Sequence, residues 1–179
     1  EKALGPDHPD VGTALNALAQ TYSAQDRHAA AEPLYERALG IRQRALGPDH
    51  PLVAVNLNDL AVLRSVQGRY AQAEPLHSQA LAIREKSLGP HHADVAASLA
   101  NLADVYRAED MYAQAEPLHQ RALAIREAVL ALDDPDLATS LANLAELYYV
   151  QGRYAQAEPL YQRALVAGEK SLGPDHPQV

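Results

Sequence analysis

Histidine is the side chain in this sequence with the widest chemical reach, able to ligate a metal or carry a proton near neutral pH. The chain holds eight histidines in 179 residues. His8, His50, His92 and His176 occupy one and the same loop position in copies of a repeating pattern. Helical repeats stack at roughly 10 Å, so these four rings are too far apart to share an ion. Helix capping or loop packing is their expected role. His77 and His119 stand where Tyr35 and Tyr161 stand in other copies, a site of packing between helices, and are expected as hydrogen-bonded core residues. His91-His92 is a one-off pair, but without a third ligand or any cysteine it is a weak metal signal. No nucleophile motif, HExxH or glycine-rich phosphate loop occurs. No enzyme activity and no cofactor are expected.

The repeating pattern itself sets that filter: a residue present in every copy holds the scaffold, whereas chemistry needs a one-off constellation. YAQAEPL begins at Tyr70, Tyr112 and Tyr154, and HAAAEPL begins at His28, a constant period of 42 residues. A fixed period of this size marks a solenoid. Four units are predicted, about 5–46, 47–88, 89–130 and 131–172, forming one array over 1–179. Glu1–Leu4 matches the end of a repeat and Pro177–Val179 the start of another, so the array is expected to continue in a larger protein at both ends. Ala and Leu dominate, with no Phe or Trp, a composition that reads as all helix. The net charge of −8, with both signs intermixed, argues against nucleic acid as a partner. No apolar run reaches the roughly 18–20 residues of a membrane span, so a soluble, cytoplasmic chain without a membrane partner is expected. Arg outnumbers Lys twelve to three, a composition expected of a GC-rich bacterial genome.

Each unit carries two helical patterns. Val11, Leu15, Leu18, Ala19 and Tyr22 follow the spacing of one apolar helix face. Pro9 suits the first turn, and Asp7 or His8 can cap it. A turn follows at 25–27, repeated as Gln67-Gly68-Arg69 and Gln151-Gly152-Arg153. The second helix presents Ala31, Leu34, Tyr35, Ala38 and Ile41 and stops at Gly47-Pro48, where the glycine can take a left-handed conformation. Gly5, Gly89 and Gly173 repeat that stop. Pro33, Pro75, Pro117 and Pro159 sit early in each second helix and predict a bend there, not a break.

These positions resemble the tetratricopeptide repeat. Its first-helix signature is met by Leu15, Leu18, Ala19 and Tyr22, and its small–large–small set by Ala31, Tyr35 and Ala38, with matching sets in the other three units. The motifs LNxLA, GRYAQAEPLYxRALxIRE and LGPDHPDVA are similar to the 42-residue repeats of kinesin light chains and of many bacterial proteins. The resemblance implies an all-α, right-handed superhelical solenoid of antiparallel helix pairs. It also implies a concave groove, lined by first helices, that holds a peptide segment or a partner protein. By that analogy the groove is built from Asn16, Gln20, Asn58, Asp59, Asn101, Asp104, Arg107, Asn143, Glu146 and Tyr149. An Asn in each unit can pair with an extended backbone whatever its side chains; the alternative is that Asn in LNxLA fixes helix packing. Asn16 and Asn58 lie one residue before the place of Asn101 and Asn143, so the two pairs are expected to point differently. Arg107 is the single base among Asp59, Asp104 and Glu146, which favours a neutral or basic ligand. Arg42, Arg84, Arg126, Glu85 and Glu127 are expected as solvated charge ladders on the outer face of the second helices.

The sequence departs from the pattern in three places. Arg64 replaces the tyrosine of Tyr22, Tyr106 and Tyr148; the loop LALDDPD at Leu130 lacks the Gly-Pro stop; and Gly168 replaces the arginine of Arg42, Arg84 and Arg126. The last change should weaken its helix by about 1 kcal/mol relative to Ala. A peptide-binding scaffold is therefore the leading expectation. The alternatives are a spacer or self-association module that stacks end to end, and an accessory holding a metal at His91-His92.

Overall fold

The computed structural model describes Gly5 and residues 8–172. They form eight helices and no strand: α1 (Pro9–Ser23), α2 (His28–Leu46), α3 (Pro51–Val66), α4 (Tyr70–Leu88), α5 (Ala93–Ala108), α6 (Tyr112–Val129), α7 (Pro135–Val150) and α8 (Tyr154–Leu172). Two compact units divide at Gly89 and Pro90, the first containing α1–α4 and the second α5–α8. Within each unit, consecutive helices pair, and α3 packs on α2 as α7 packs on α6.

Local chemistry explains each boundary. The imidazole Nδ1 of His8, His50 and His92 accepts the backbone N–H two residues on, at 3.2, 3.1 and 3.1 Å, so the repeated loop histidines are N-caps. Asp134 fills the same place and accepts from Asp136 N at 2.8 Å. Asp7, Gly173 and His176 lie outside the described residues. Second helices run continuously through Pro33, Pro75, Pro117 and Pro159. The turn between paired helices needs one residue at positive φ, supplied by Asp26, Gly68, Asp110 and Gly152. Gly47 and Gly89 end their helices at φ 87° and 85° with ψ 158°. That conformation is more extended than the left-handed helical one expected, and is open to glycine almost alone. Leu130, in the loop without Gly-Pro, ends α6 at an ordinary φ of −107°.

Small residues let the helices approach. Ala31, Ala38, Ala73 and Ala80 are fully covered in the first unit, as is Ala115 in the second. In the first unit Ala31 and Tyr35 of α2 cluster with Leu60 and Leu63 of α3, while Val53, Leu57, Ala80 and Ile83 join α3 to α4. In the second unit Ala115 and Leu123 of α6 cluster with Leu141, Leu144 and Leu147 of α7 and Ala157 of α8.

The arginines of the second helices overturn one expectation. Arg42 and Arg126 are 3% and 6% exposed, not solvated. Arg42 donates from Nη1 to the Leu52 carbonyl at 3.0 Å and to Asn56 Oδ1 at 2.6 Å, and from Nη2 to Thr13 Oγ1 at 3.2 Å. Arg126 repeats this with the Asp136 carbonyl at 3.1 Å and Ser140 Oγ at 2.5 Å. Their azimuth, polar in an isolated helix pair, is the one that the next first helix covers. Arg84 and Glu85 are half-buried, while Glu127 is exposed and pairs with Arg163, as a ladder should.

Candidate functional site: the first-helix faces

In the first unit, the i, i+4 spacing of Asn16 and Gln20 sets both amides on one edge of α1, and Asp59 faces them from α3. Asn16 Nδ2 and Gln20 Nε2 each donate to Asp59 Oδ2 at 2.9 Å. Asn16 is 5% exposed, and its Oδ1 also accepts from Asn56 Nδ2. Both ends of its carboxamide thus engage partners within the protein, as the packing alternative expects. Gln20 is exposed and Asp59 half-exposed. Asp59 has amide donors and no ion pair among the described residues, and the buried Arg42 guanidinium acts on it through space. Its own charge also acts at a distance: burial first, and then Asp59, push the Tyr35 hydroxyl up to about 12. Asn58 is half-buried and engaged in an interaction of its own. The register explains the frame difference noted above, because Asp59, not Asn58, is the counterpart of Asn101 and Asn143.

In the second unit, Asp104 on α5 lies 3.5 Å from Arg107 Nε one turn away and 3.6 Å from Nε2 of His119 on α6. Burial raises the Asp104 carboxyl, and Arg107 opposes that rise. Asn101 is half-buried and engaged in an interaction. On α7, Glu146 accepts the Tyr161 hydroxyl at 2.6 Å. Asn143 lines a cavity of about 570 Å³ between α7 and α8 with Thr139, Tyr161 and Gly168. Tyr149 is 53% exposed and packs its ring 5.4 Å from that of Tyr154. Asn16, Gln20 and Asp59 therefore come together in the first unit, and Asp104 and Arg107 in the second, where Glu146 and Tyr149 both contact α8.

His119, beneath Asp104, was legible only as a core residue, and core it is: His77 and His119 are each 1% exposed. Burial drives both down to about 4, aided by the charge of Arg84 on His77 and of Arg107 and Arg126 on His119. They are neutral at pH 7. Nδ1 of His77 and Nε2 of His119 find no hydrogen-bond partner in the protein, so the expected hydrogen bonding of these core rings is not met at those two atoms. Arg64, the departure from tyrosine, donates to Glu32 at 3.4 Å and Glu36 at 3.0 Å, reaching the same α2 positions that Tyr148 reaches on α6. No group of three His, Asp or Glu among the described residues is placed to hold a metal, His91-His92 included. No helix of the described residues is long and apolar enough to cross a membrane.

Comparison with known proteins agrees with this geometry. Tetratricopeptide repeat family models match residues 60–128, and also 11–52 and 137–178. The crystal structure of BtubC (BKLC) from P. vanneervenii is similar at a TM-score of 0.84 and 28% identity, over 94% of this chain and 67% of that one. The nearly identical TPR-like repeats of a kinesin-light-chain-type protein from Podosopora anserina are similar at a TM-score of 0.78 and 27% identity, over 96% and 81% of the two chains. A single-substitution variant of those repeats gives 0.80 and 27%, over 95% and 80%. No curated protein matches in sequence.

Proposed function

The chain belongs to the tetratricopeptide repeat family, with repeats of the kinesin-light-chain type, and we propose that it holds a neutral or basic extended peptide segment, or a partner protein presenting one, in the groove lined by its first helices. Proteins of this fold are in general protein-interaction scaffolds and not enzymes, and the groove reading narrows that general role. The observation that carries it is the Asp59 carboxylate, which accepts from two amides and makes no direct ion pair among the described residues. An acceptor fixed in this way favours a Lys, Arg or backbone N–H of a ligand over an acidic group. In the second unit, taken by itself, Asp104 and Glu146 likewise outnumber the single base Arg107. We place the protein in a bacterial cytoplasm, as its Arg-rich, Ala-rich composition favours.

The test is fluorescence anisotropy with a library of extended peptides sorted by charge. Basic and neutral peptides should bind, acidic ones should not, and Asp59→Asn and Asp104→Asn should each weaken binding several-fold. Selection of acidic peptides, or indifference to both substitutions, refutes the reading.

A further inference from the structure

Ile41, Ile83 and Ile125 stand in one register of the second helices and are 1%, 4% and 4% exposed. Ile41 packs with Val11 and Leu15 of α1, and Ile83 with Val53 and Leu57 of α3. On α8 that register holds Ala167, whose partners on α7 by the same register are the buried Leu137 and Leu141. The side chain that fills the other pairs is missing here. In its place lies a hollow of about 400 Å³, lined by Leu137 and Leu141 of α7, Val166, Ala167 and Lys170 of α8, and Leu132 of the α6–α7 loop.

Other one-off residues shape the same hollow. Val166 stands where Gly40, Ala82 and Ala124 stand, and Leu132 where Pro48 and Pro90 stand; both are exposed and add apolar wall. The loop itself begins at Leu130 with φ −107°, where α2 and α4 end on glycine at positive φ. An ion pair is lost with that change. In the first unit Lys86 on α4 reaches Asp49 of the loop before α3 at 2.5 Å. The counterparts Lys170 and Asp133 form no ion pair among the described residues. The charged residues in the lining are Arg163 and Lys170, both basic. Arg163 is held by Glu127 at 2.5 Å, which leaves the Lys170 ammonium as the open charge at the rim.

This side of a second helix is open even where another pair packs on the helix. Arg44 on α2, which α3 joins, and Ala124 and Ala128 on α6, which α7 joins, are exposed at the register of Lys170 and Val166. An apolar space left unfilled costs stability, and an apolar cavity with a placed charge is the usual make-up of a small-ligand site.

We propose that this hollow binds a small single-chain carboxylate. Its alkyl chain lies against Leu137, Leu141, Val166 and Ala167, in the space that isoleucine fills elsewhere, and its carboxylate meets Lys170. The site is independent of the Asp59 groove reading.

Octanoate and octanol, titrated into the isotope-labelled protein and followed by amide NMR shifts, test this. Octanoate should saturate, with shifts centred on Leu132, Val166, Ala167 and Lys170. Ala167→Ile restores the residue of the other pairs, so it should weaken octanoate at least about tenfold while raising the melting temperature, which shows that the fold is kept. Lys170→Glu, at an exposed position, should weaken octanoate at least about fivefold and leave octanol unchanged. Asp59→Asn should alter neither. Failure of octanoate to saturate, shifts centred elsewhere, undiminished binding in Ala167→Ile, or equal effects of Lys170→Glu on octanoate and octanol overturns the proposal; failure to saturate would leave the hollow to an apolar side chain of a protein partner.

Discussion

Arg42 of α2 donates to Asn56 of α3 at 2.6 Å, both side chains being buried where one helix pair meets the next. The junction in the first unit is therefore latched by a charged hydrogen bond inside a largely apolar seam. Removing the arginine leaves Asn56 Oδ1 and the Leu52 carbonyl without their donor, at about 1–3 kcal/mol for each buried group. Arg42→Ala should thus lower stability by roughly 2–4 kcal/mol, read as a shift of the urea midpoint. Glu127→Ala breaks only the exposed pair with Arg163, and should cost no more than about 1 kcal/mol.

Acid should destabilise the protein before carboxylates titrate. His77 and His119 have folded values of about 4 against an ordinary 6.5. Between those values the unfolded chain takes up protons that the folded chain refuses, so stability falls as pH drops from 6.5 towards 4. The shift corresponds to on the order of 3 kcal/mol for each ring. Tyrosine already fits this position, since Tyr35 is 3% exposed there. The double variant His77→Tyr, His119→Tyr should therefore flatten the melting temperature over this window. An unchanged acid slope would assign the effect to other groups.

Backbone conformation alone sets the cost at Gly47. A Cβ there meets no atom within 4 Å, yet φ of 87° and ψ of 158° are strained for any other residue. Gly47→Ala should cost about 1–3 kcal/mol. Ala131 occupies the same register without a positive φ, so Ala131→Gly should bring no gain. Asp26, at φ 56°, is the opposite case, and Asp26→Gly should stabilise by up to about 1 kcal/mol. Thermal melts of the three variants give the order.

The N-caps can be exchanged within the protein's own repertoire. His50 accepts from Leu52 N at 3.1 Å, whereas Asp134 accepts from Asp136 N at 2.8 Å with a full negative charge. His50→Asp should raise stability by about 0.5–1 kcal/mol, and the gain should shrink in high salt because it draws on the helix dipole. His50→Ala should cost about 1 kcal/mol. Differential scanning calorimetry at two ionic strengths checks both.

Much of the fold was legible without coordinates because its causes are local. The period of 42 residues, the Pro9 start, the loop histidines as caps and the Gly47 stop all act within a few residues of themselves. Helical spacing likewise marks Leu15, Ala19, Ala31, Tyr35 and Ala38 as one apolar seam, and all five are buried. Of the candidate site, Asp59 and Gln20 were found with their acidic and polar character, but their hydrogen bond was not, because it joins residues 39 apart in sequence.

The sequence by itself determined the helices, their ends, the helix-pair repeat and the family, since capping, propensity and periodicity are properties of a single chain segment. Tertiary structure decided which azimuth of each helix a neighbour covers. That choice buried Arg42, Arg126 and Asn16 and set His119 under Asp104. A helix pattern records how residues point around an axis; whether a given direction meets water or another helix is settled only when the next pair packs.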